Sequence, residues 1–321
     1  MSFLMIKLTE FFPVFLLLIA SIGYYKFAIR HKILDDPNFR TSHKRPIPTG
    51  GGILFVLAGL TFFLSSGFSQ LFFFAGLLLV AVVSYLDDML GLSPKFRLLI
   101  HFLAVALCVW DLNFYSFYSP LILVPILLGV AFINFFNFMD GINGMINLYG
   151  IITLATLAIL NRSFHTFDPD LLIIIIISLL IFSFFNLRKN ALMFSGDIGS
   201  ISLALMIFYF GLKLCIQLEA PIVILMATLH VVDAFMTLVT RVRGGHNIFT
   251  PHRDHLYQLL VDNKGISHLR VSMAYALLQI LINIGVVYSI QASFMFQLVV
   301  VVLVVVSSIV LYLIIRSRIA A

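Results

Sequence analysis

Charge is what this chain has least of. Asp, Glu, Lys and Arg make up 11% of its 321 residues, less than half of the roughly 25% carried by an ordinary soluble domain. That deficit excludes a soluble enzyme, because a globule of this length in water would lack the polar material to cover itself. It also excludes a disordered chain, which combines low hydrophobicity with high net charge. Cysteine is equally scarce. Cys108 and Cys215 both lie inside apolar runs, so neither a disulfide framework nor a cysteine metal site is available. What is present instead is 61% hydrophobic residues, 33 Phe, a mean hydropathy of +1.10 and runs such as Leu171 to Leu187 and Leu298 to Ile315. The solvent is lipid.

A membrane-crossing helix needs about 20 mostly apolar residues. Read with that ruler, the chain is an all-α integral membrane protein, a polytopic bundle of about 11 transmembrane helices (10 if two merge) in one domain over 1–321. The span centres fall at 12–27, 51–66, 71–86, 98–112, 120–137, 145–160, 171–187, 198–216, 220–240, 271–290 and 294–315. The longest polar connection, 241–270, is a His/Arg loop within that domain. Cationic residues decide orientation. If the segment after the first span faces the cytoplasm, 17 of the 20 Lys and Arg lie on that side, leaving Lys7, Arg162 and Lys213 outside. The N-terminus is therefore expected outside and the C-terminus and active-site cleft in the cytoplasm. The first span, with its positive flank after it and no small-residue cleavage site, reads as a retained helix. The net charge of +6 is accounted for by topology and anionic lipid; no nucleic-acid partner is expected.

Nine of the 14 acids fall on the same expected face, several inside apolar sequence, where an ionisable group is costly and points to function. Asp87 and Asp88 close the third span; adjacent carboxylates near lipid call for a cation, a metal or shared protons, and Lys95 and Arg97 follow. Asn137, Asp140 and Asn143 leave the fifth span at intervals of three, which on a helix would project them to one side. Ser195-Gly-Asp197-Ile-Gly-Ser200 opens a helix after a Gly-rich turn, a place for phosphate on free N–H groups and for Mg²⁺ on the acid. Gly50 to Gly52 after Lys44 and Arg45 is either a phosphate cradle or a close-packing device. The loop carries His246, His252, Arg253 and His255 without the ligand spacing of a zinc site; a cationic cluster beside acids suits diphosphate. His230 and Asp233, in the ninth span, are expected to orient Arg241 or Arg243. Each island alone has a bland alternative, such as a cap, a turn or an interfacial loop. Five on one face amount to the equipment of metal-assisted phosphoryl transfer.

The order of these islands resembles the polyprenyl-phosphate N-acetylhexosamine-1-phosphate transferase family. The residues that carry the resemblance are PTGGG at 48–52, LDD at 86–88, NFMDGING at 137–144, SGDIGS at 195–200 and PHRDHLYQ at 251–258. The resemblance implies that a polyprenyl (undecaprenyl) phosphate attacks a UDP-N-acetylhexosamine, releasing UMP and starting a cell-surface polysaccharide at the bacterial inner membrane. It further implies Mg²⁺ (with Mn²⁺ as the substitute) on Asp197 and Asp88. Asp87 and Asp88 would stand at the reaction centre, with Asn137, Asp140 and Asn143 at the nucleotide. His252, Arg253 and His255 would contact the diphosphate, and Lys44, Lys95 and Arg97 the phosphates; a homodimer is the further partner considered. Three departures stand out: Asn143 replaces a usual acid, His230 replaces a usual proline, and HRxHxYQ is not the three-histidine form of the peptidoglycan enzyme. The last resembles the O-antigen or capsule branch, including its 6-deoxy sugars (UDP-QuiNAc, UDP-FucNAc) beside UDP-GlcNAc. A transporter or flippase of a sugar nucleotide or polyprenyl lipid is the competing class; acids gathered at one face, with no evident inverted repeat, speak against it.

Overall fold

The computed structural model describes residues 8–37, 45–113, 119–247, 250 and 252–320. Lys44, expected at a phosphate, and Pro251 of the loop motif lie outside the described residues. The chain is helical almost throughout. The helices are α1 (Leu8–Arg30), α2 (Ile53–Ser65), α3 (Leu71–Leu90), α4 (Pro94–Asp111), α5 (Leu123–Phe138), α6 (Met145–Phe164), α7 (Pro169–Asn186), α8 (Gly196–Leu218), α9 (Thr228–Arg243), α10 (Leu256–Asp262), α11 (His268–Ser289) and α12 (Phe294–Ala320). A 3₁₀ segment, Pro221–Ala227, leads into α9. The two strands β1 (Leu34–Asp35) and β2 (Ile47–Pro48) pair antiparallel.

Among the described residues, eight helical stretches are long and apolar enough to cross a membrane, and α2 and α5 are shorter apolar helices. The protein is a multi-pass, all-α membrane protein. Each expected span coincides with a helix, including α4, whose first turn carries Lys95 and Arg97 and which falls outside those eight. Among the described residues, the α-helix not anticipated is the short α10 inside the polar loop.

Successive helices run antiparallel, which gives the bundle two distinguishable ends. At one, Asp111 closes α4, accepting hydrogen bonds from the Phe72 N–H at the start of α3 (3.2 Å) and the Tyr209 hydroxyl late in α8 (2.7 Å). The other, here the polar end, collects the C-terminal ends of α1, α3, α5, α7, α9 and α12 and the N-terminal ends of α2, α4, α6, α8 and α11. The core between α2, α3, α7 and α8 is aromatic and aliphatic, with Phe55, Phe73, Phe74, Leu77, Phe182 and Phe210 all buried. With no hydrophobic drive between helices in lipid, close approach depends on small residues. Gly76 of α3 lies against the Ala104 carbonyl of α4, with no room for a Cβ. Outside the core, α12 presents Met295, Val299, Val302, Leu303 and Val306 to the surroundings, as a lipid-facing helix should.

Candidate functional site

Two glycine segments build the frame. Phe194 N–H donates to the Pro48 carbonyl (2.8 Å), Gly51 N–H to the Phe194 carbonyl (2.8 Å) and Gly52 N–H to the Ser195 carbonyl (2.9 Å). Gly52 and Gly199 then meet backbone to backbone, where a side chain on either would collide. Of the two readings of the triple glycine, close packing is therefore the one realised: the amides of Gly51 and Gly52 already serve protein carbonyls. This lacing fixes the start of α8, and hence Asp197, beside the end of α3.

Asp197, in the first turn of α8, is the hub. Its Oδ1 accepts from Asn137 Nδ2 (3.0 Å), which also donates to Ser200 Oγ (2.8 Å). Its Oδ2 lies 3.4 Å from Arg97 Nη1, and its backbone N–H donates to both carboxylate oxygens of Asp88 (3.2 and 3.1 Å). The free N–H at this helix start thus meets an acid from α3, a favourable place for negative charge. Adjacent in sequence, Asp87 and Asp88 diverge in role. Asp87 is buried, pairs with Arg97 at 2.6 Å and accepts the Leu92 N–H at 2.7 Å, whereas Asp88 faces the cavity.

That cavity, of about 390 Å³, is lined by Asp88, Asn137, Asp140, Asn143, Asp197 and Arg253 from the expected set. It falls in the size range of small-molecule sites, roughly 300–1,000 Å³. Sequence reasoning missed Asn186, Phe194 and Gln258, which also line it. Gln258 closes the quoted loop motif without having been singled out, Phe194 immediately precedes SGDIGS, and Asn186 belongs to no island. The Asn137/Asp140/Asn143 trio comes together for a different reason from the one expected. Helix α5 ends at Phe138, so Asp140 and Asn143 reach the cavity from a turn rather than a helix face. Asp140 accepts from Ser195 Oγ (2.5 Å). Burial pushes its carboxyl up to about 7, the Asp197 charge adding and the Ser195 hydrogen bond opposing. Asn143 Nδ2 donates to the Arg188 and Lys189 carbonyls (2.8 and 3.3 Å), and the Asn143 backbone carbonyl accepts from Ser272 Oγ (2.8 Å). An amide can donate to those carbonyls and a carboxylate cannot, which gives the departure at 143 a structural use.

The loop residues divide. Arg253 reaches the cavity and pairs with Asp262 through Nε (2.7 Å) and Nη2 (2.9 Å). His255 is buried and forms a capping box at the start of α10 with Gln258. His252, stacked on His255 at 5.0 Å, does not line the cavity; burial, with His255 and Arg241 adding, holds its imidazole down to about 4 against Asp254. Lys95 is exposed and Arg97 half-buried, and neither lines the cavity. Asp233 does not orient Arg241 or Arg243. It accepts the Leu256 and Tyr257 N–H groups (2.9 and 3.2 Å) and so anchors α10, while Arg241 pairs with Asp254. His230 stacks on Tyr149 at 3.6 Å.

Among the described residues no group of three His, Cys, Asp or Glu side chains converges as a cation cage. A hard divalent ion such as Mg²⁺ is generally held through one or two carboxylates, with water and substrate phosphate completing its shell. Asp88 and Asp197, neighbours on one cavity wall, fit that mode with their all-oxygen donor set.

Comparison with known proteins bears directly on this wall. Residues 70–215 match the model of glycosyl transferase family 4. The matched stretch takes in Asp87 and the cavity residues Asp88, Asn137, Asp140, Asn143 and Asp197, and stops short of the Arg253 loop. No curated protein matches the chain.

Proposed function

We propose that this protein transfers an N-acetylhexosamine-1-phosphate from a UDP-sugar to a polyprenyl phosphate, releasing UMP, at the polar end of the bundle facing the cytoplasm of a bacterial inner membrane. The observation that carries the reading is one cavity into which α3, α5 and α8 each deliver an acid or amide and the polar loop delivers Arg253. The match to glycosyl transferase family 4 supports phospho-sugar transfer to a polyprenyl phosphate.

In this reading a lipid-phosphate oxygen forms a bond to the β-phosphorus of the UDP-sugar. The bond from that phosphorus to the bridging oxygen breaks, and UMP leaves with its electron pair. Asp197 and Asp88 would hold Mg²⁺, which when bound supplies neutralising charge on the diphosphate oxygens. Asn137 aims the Asp197 carboxylate through its amide, and Arg97 tethers Asp87 and Asp197. Arg253, delivered to the cavity by the polar loop, is the diphosphate contact, a role its planar fork suits. Asp140, largely protonated below its raised pKa, donates or accepts at the nucleotide. His255 serves by shaping α10 rather than by touching substrate. The HRxHxYQ loop favours UDP-GlcNAc or a 6-deoxy-HexNAc donor and an O-antigen or surface-polysaccharide product.

The test is UMP release by the purified protein in lipid nanodiscs with Mg²⁺. Release should require both a UDP-HexNAc and a polyprenyl phosphate, and fall at least about 100-fold in Asp197→Ala. Undiminished turnover in that variant would overturn the site, and sugar-nucleotide uptake without UMP would favour a transporter.

A further inference from the structure

The last helix carries a polar stripe that the reaction as described does not use. Along its lipid-facing length α12 is built from Val, Leu and Ile, yet Ser308, Tyr312 and Arg316 recur at intervals of four, on one face. Polar groups on a lipid-facing helix are kept where they have partners. Ser308 satisfies itself on the Val304 carbonyl (2.8 Å). The other two reach across to the polar loop.

Arg316 Nη1 donates to the backbone carbonyl of Asp254 (2.9 Å) and to the Tyr312 hydroxyl (2.6 Å). That hydroxyl lies 3.1 Å from Thr237 Oγ1, which donates to Asp233 Oδ1 (3.3 Å). Asp233 accepts the first two amides of α10 and also the Tyr275 hydroxyl (2.6 Å). Asp254 is gripped a second time, by its carboxylate on Arg241. Tyr312, Thr237 and Asp233 are all buried, and the ring of Tyr312 packs with Val232 and Leu256 in a small apolar cluster. The segment held this way begins one residue after Arg253 and runs through Gln258, and both of those residues line the cavity.

We infer that Tyr312 and Arg316 are positioning residues: α12 clamps residues 254–258 and thereby sets Arg253 and Gln258 against the cavity. The inference rests on the transfer reading for its kinetic consequence but not for its structural one. Neither residue touches the cavity, so their effect passes through the loop. Because the clamp bears on the wall that Arg253 forms and leaves the Asp88–Asp197 wall alone, its loss acts on binding of the sugar nucleotide.

The test uses the full chain in nanodiscs, with Arg316→Gln and the gentler Tyr312→Phe, which keeps the ring in its cluster. Arg318→Gln, removing the same charge from the same exposed helix end, is the control. Amide hydrogen exchange should quicken across residues 254–262 in both variants, with α3 and α8 unchanged and the control like wild type. The KM for the UDP-sugar should rise about tenfold in Arg316→Gln, the cost of one lost charge-assisted hydrogen bond. The kcat and the KM for the polyprenyl phosphate should stay within twofold. Unchanged exchange in the loop, or an equal loss in kcat with KM unmoved, would overturn the clamp. A wild-type protein without transferase activity would defeat the transfer reading alone, because the exchange measurement would still decide the clamp.

Discussion

Arg97 is the point at which the electrostatics of the site can be tested without reference to turnover. Its guanidinium lies 2.6 Å from Asp87 and 3.4 Å from Asp197, with its side chain 35% exposed and that of Asp87 only 7%. Removing one partner of a fully buried pair costs about 3–5 kcal/mol, whereas an exposed pair is worth about 0–1. This pair is buried on the acid side and open on the basic side, so Arg97→Gln should cost about 2 kcal/mol. Most of that cost is the stranded Asp87 charge, which loses its cation and keeps the neutral Leu92 N–H donor. Adding Asp87→Asn removes the stranded charge while leaving an oxygen for Leu92. The double variant should therefore be more stable than Arg97→Gln alone. Thermal unfolding of the four proteins in detergent, with chelator present so that no divalent ion takes the place of the guanidinium, reads this cycle. The single variant should unfold about 5 °C lower, and the double should recover at least half of that. Losses that add, or an Arg97→Gln protein as stable as wild type, would refute the bridging role.

Two other outcomes follow from the geometry. Gly52→Ala should lower stability by about 1–3 kcal/mol, because its Cβ would fall on the Gly199 backbone; an undiminished unfolding temperature would show that the glycine lacing is dispensable. His252, held neutral in the fold down to about pH 4, takes up a proton more readily when unfolded. Its contribution is present above the unfolded value near 6.5 and is lost as the pH falls towards 4. Stability should accordingly rise with pH between 4 and 6.5, and His252→Gln should flatten that slope; an identical slope in the variant would contradict it.

Much of this molecule was legible in its sequence, and the exceptions have physical causes. Hydropathy located each long apolar helix among the described residues, because in lipid the apolar run is the element. The scarcity of charge made its placement readable. Asp88, Asn137, Asp140 and Asp197 were found because acids and amides in apolar sequence are expensive, and all four line one cavity. The split between Asp87 and Asp88 was not legible: neighbouring helical residues point about 100° apart, and only the packing of α4 decides which meets Arg97. The interval of three in Asn137, Asp140 and Asn143 suggested a helix face, but α5 stops at Phe138. His255 read as a ligand of phosphate because its neighbours are cationic; its place at the start of α10 depends on a seven-residue helix too short to leave a periodic signal. Asn186 is an ordinary polar residue in sequence, and only the fold brings it to the cavity; Gln258 closes the loop motif but carries no charge that would have singled it out. Arg316 looked like one more cation at a helix end, which is what topology alone requires.

The central claim is that the β-phosphorus of the donor travels with the sugar. Incubation of the protein and Mg²⁺ with polyprenyl phosphate and a UDP-HexNAc labelled at the β-phosphate measures this directly. The account predicts label in the lipid fraction as a polyprenyl diphosphate, with unlabelled UMP released in equal amount. Label remaining in water-soluble UDP while sugar appears on the lipid would contradict it.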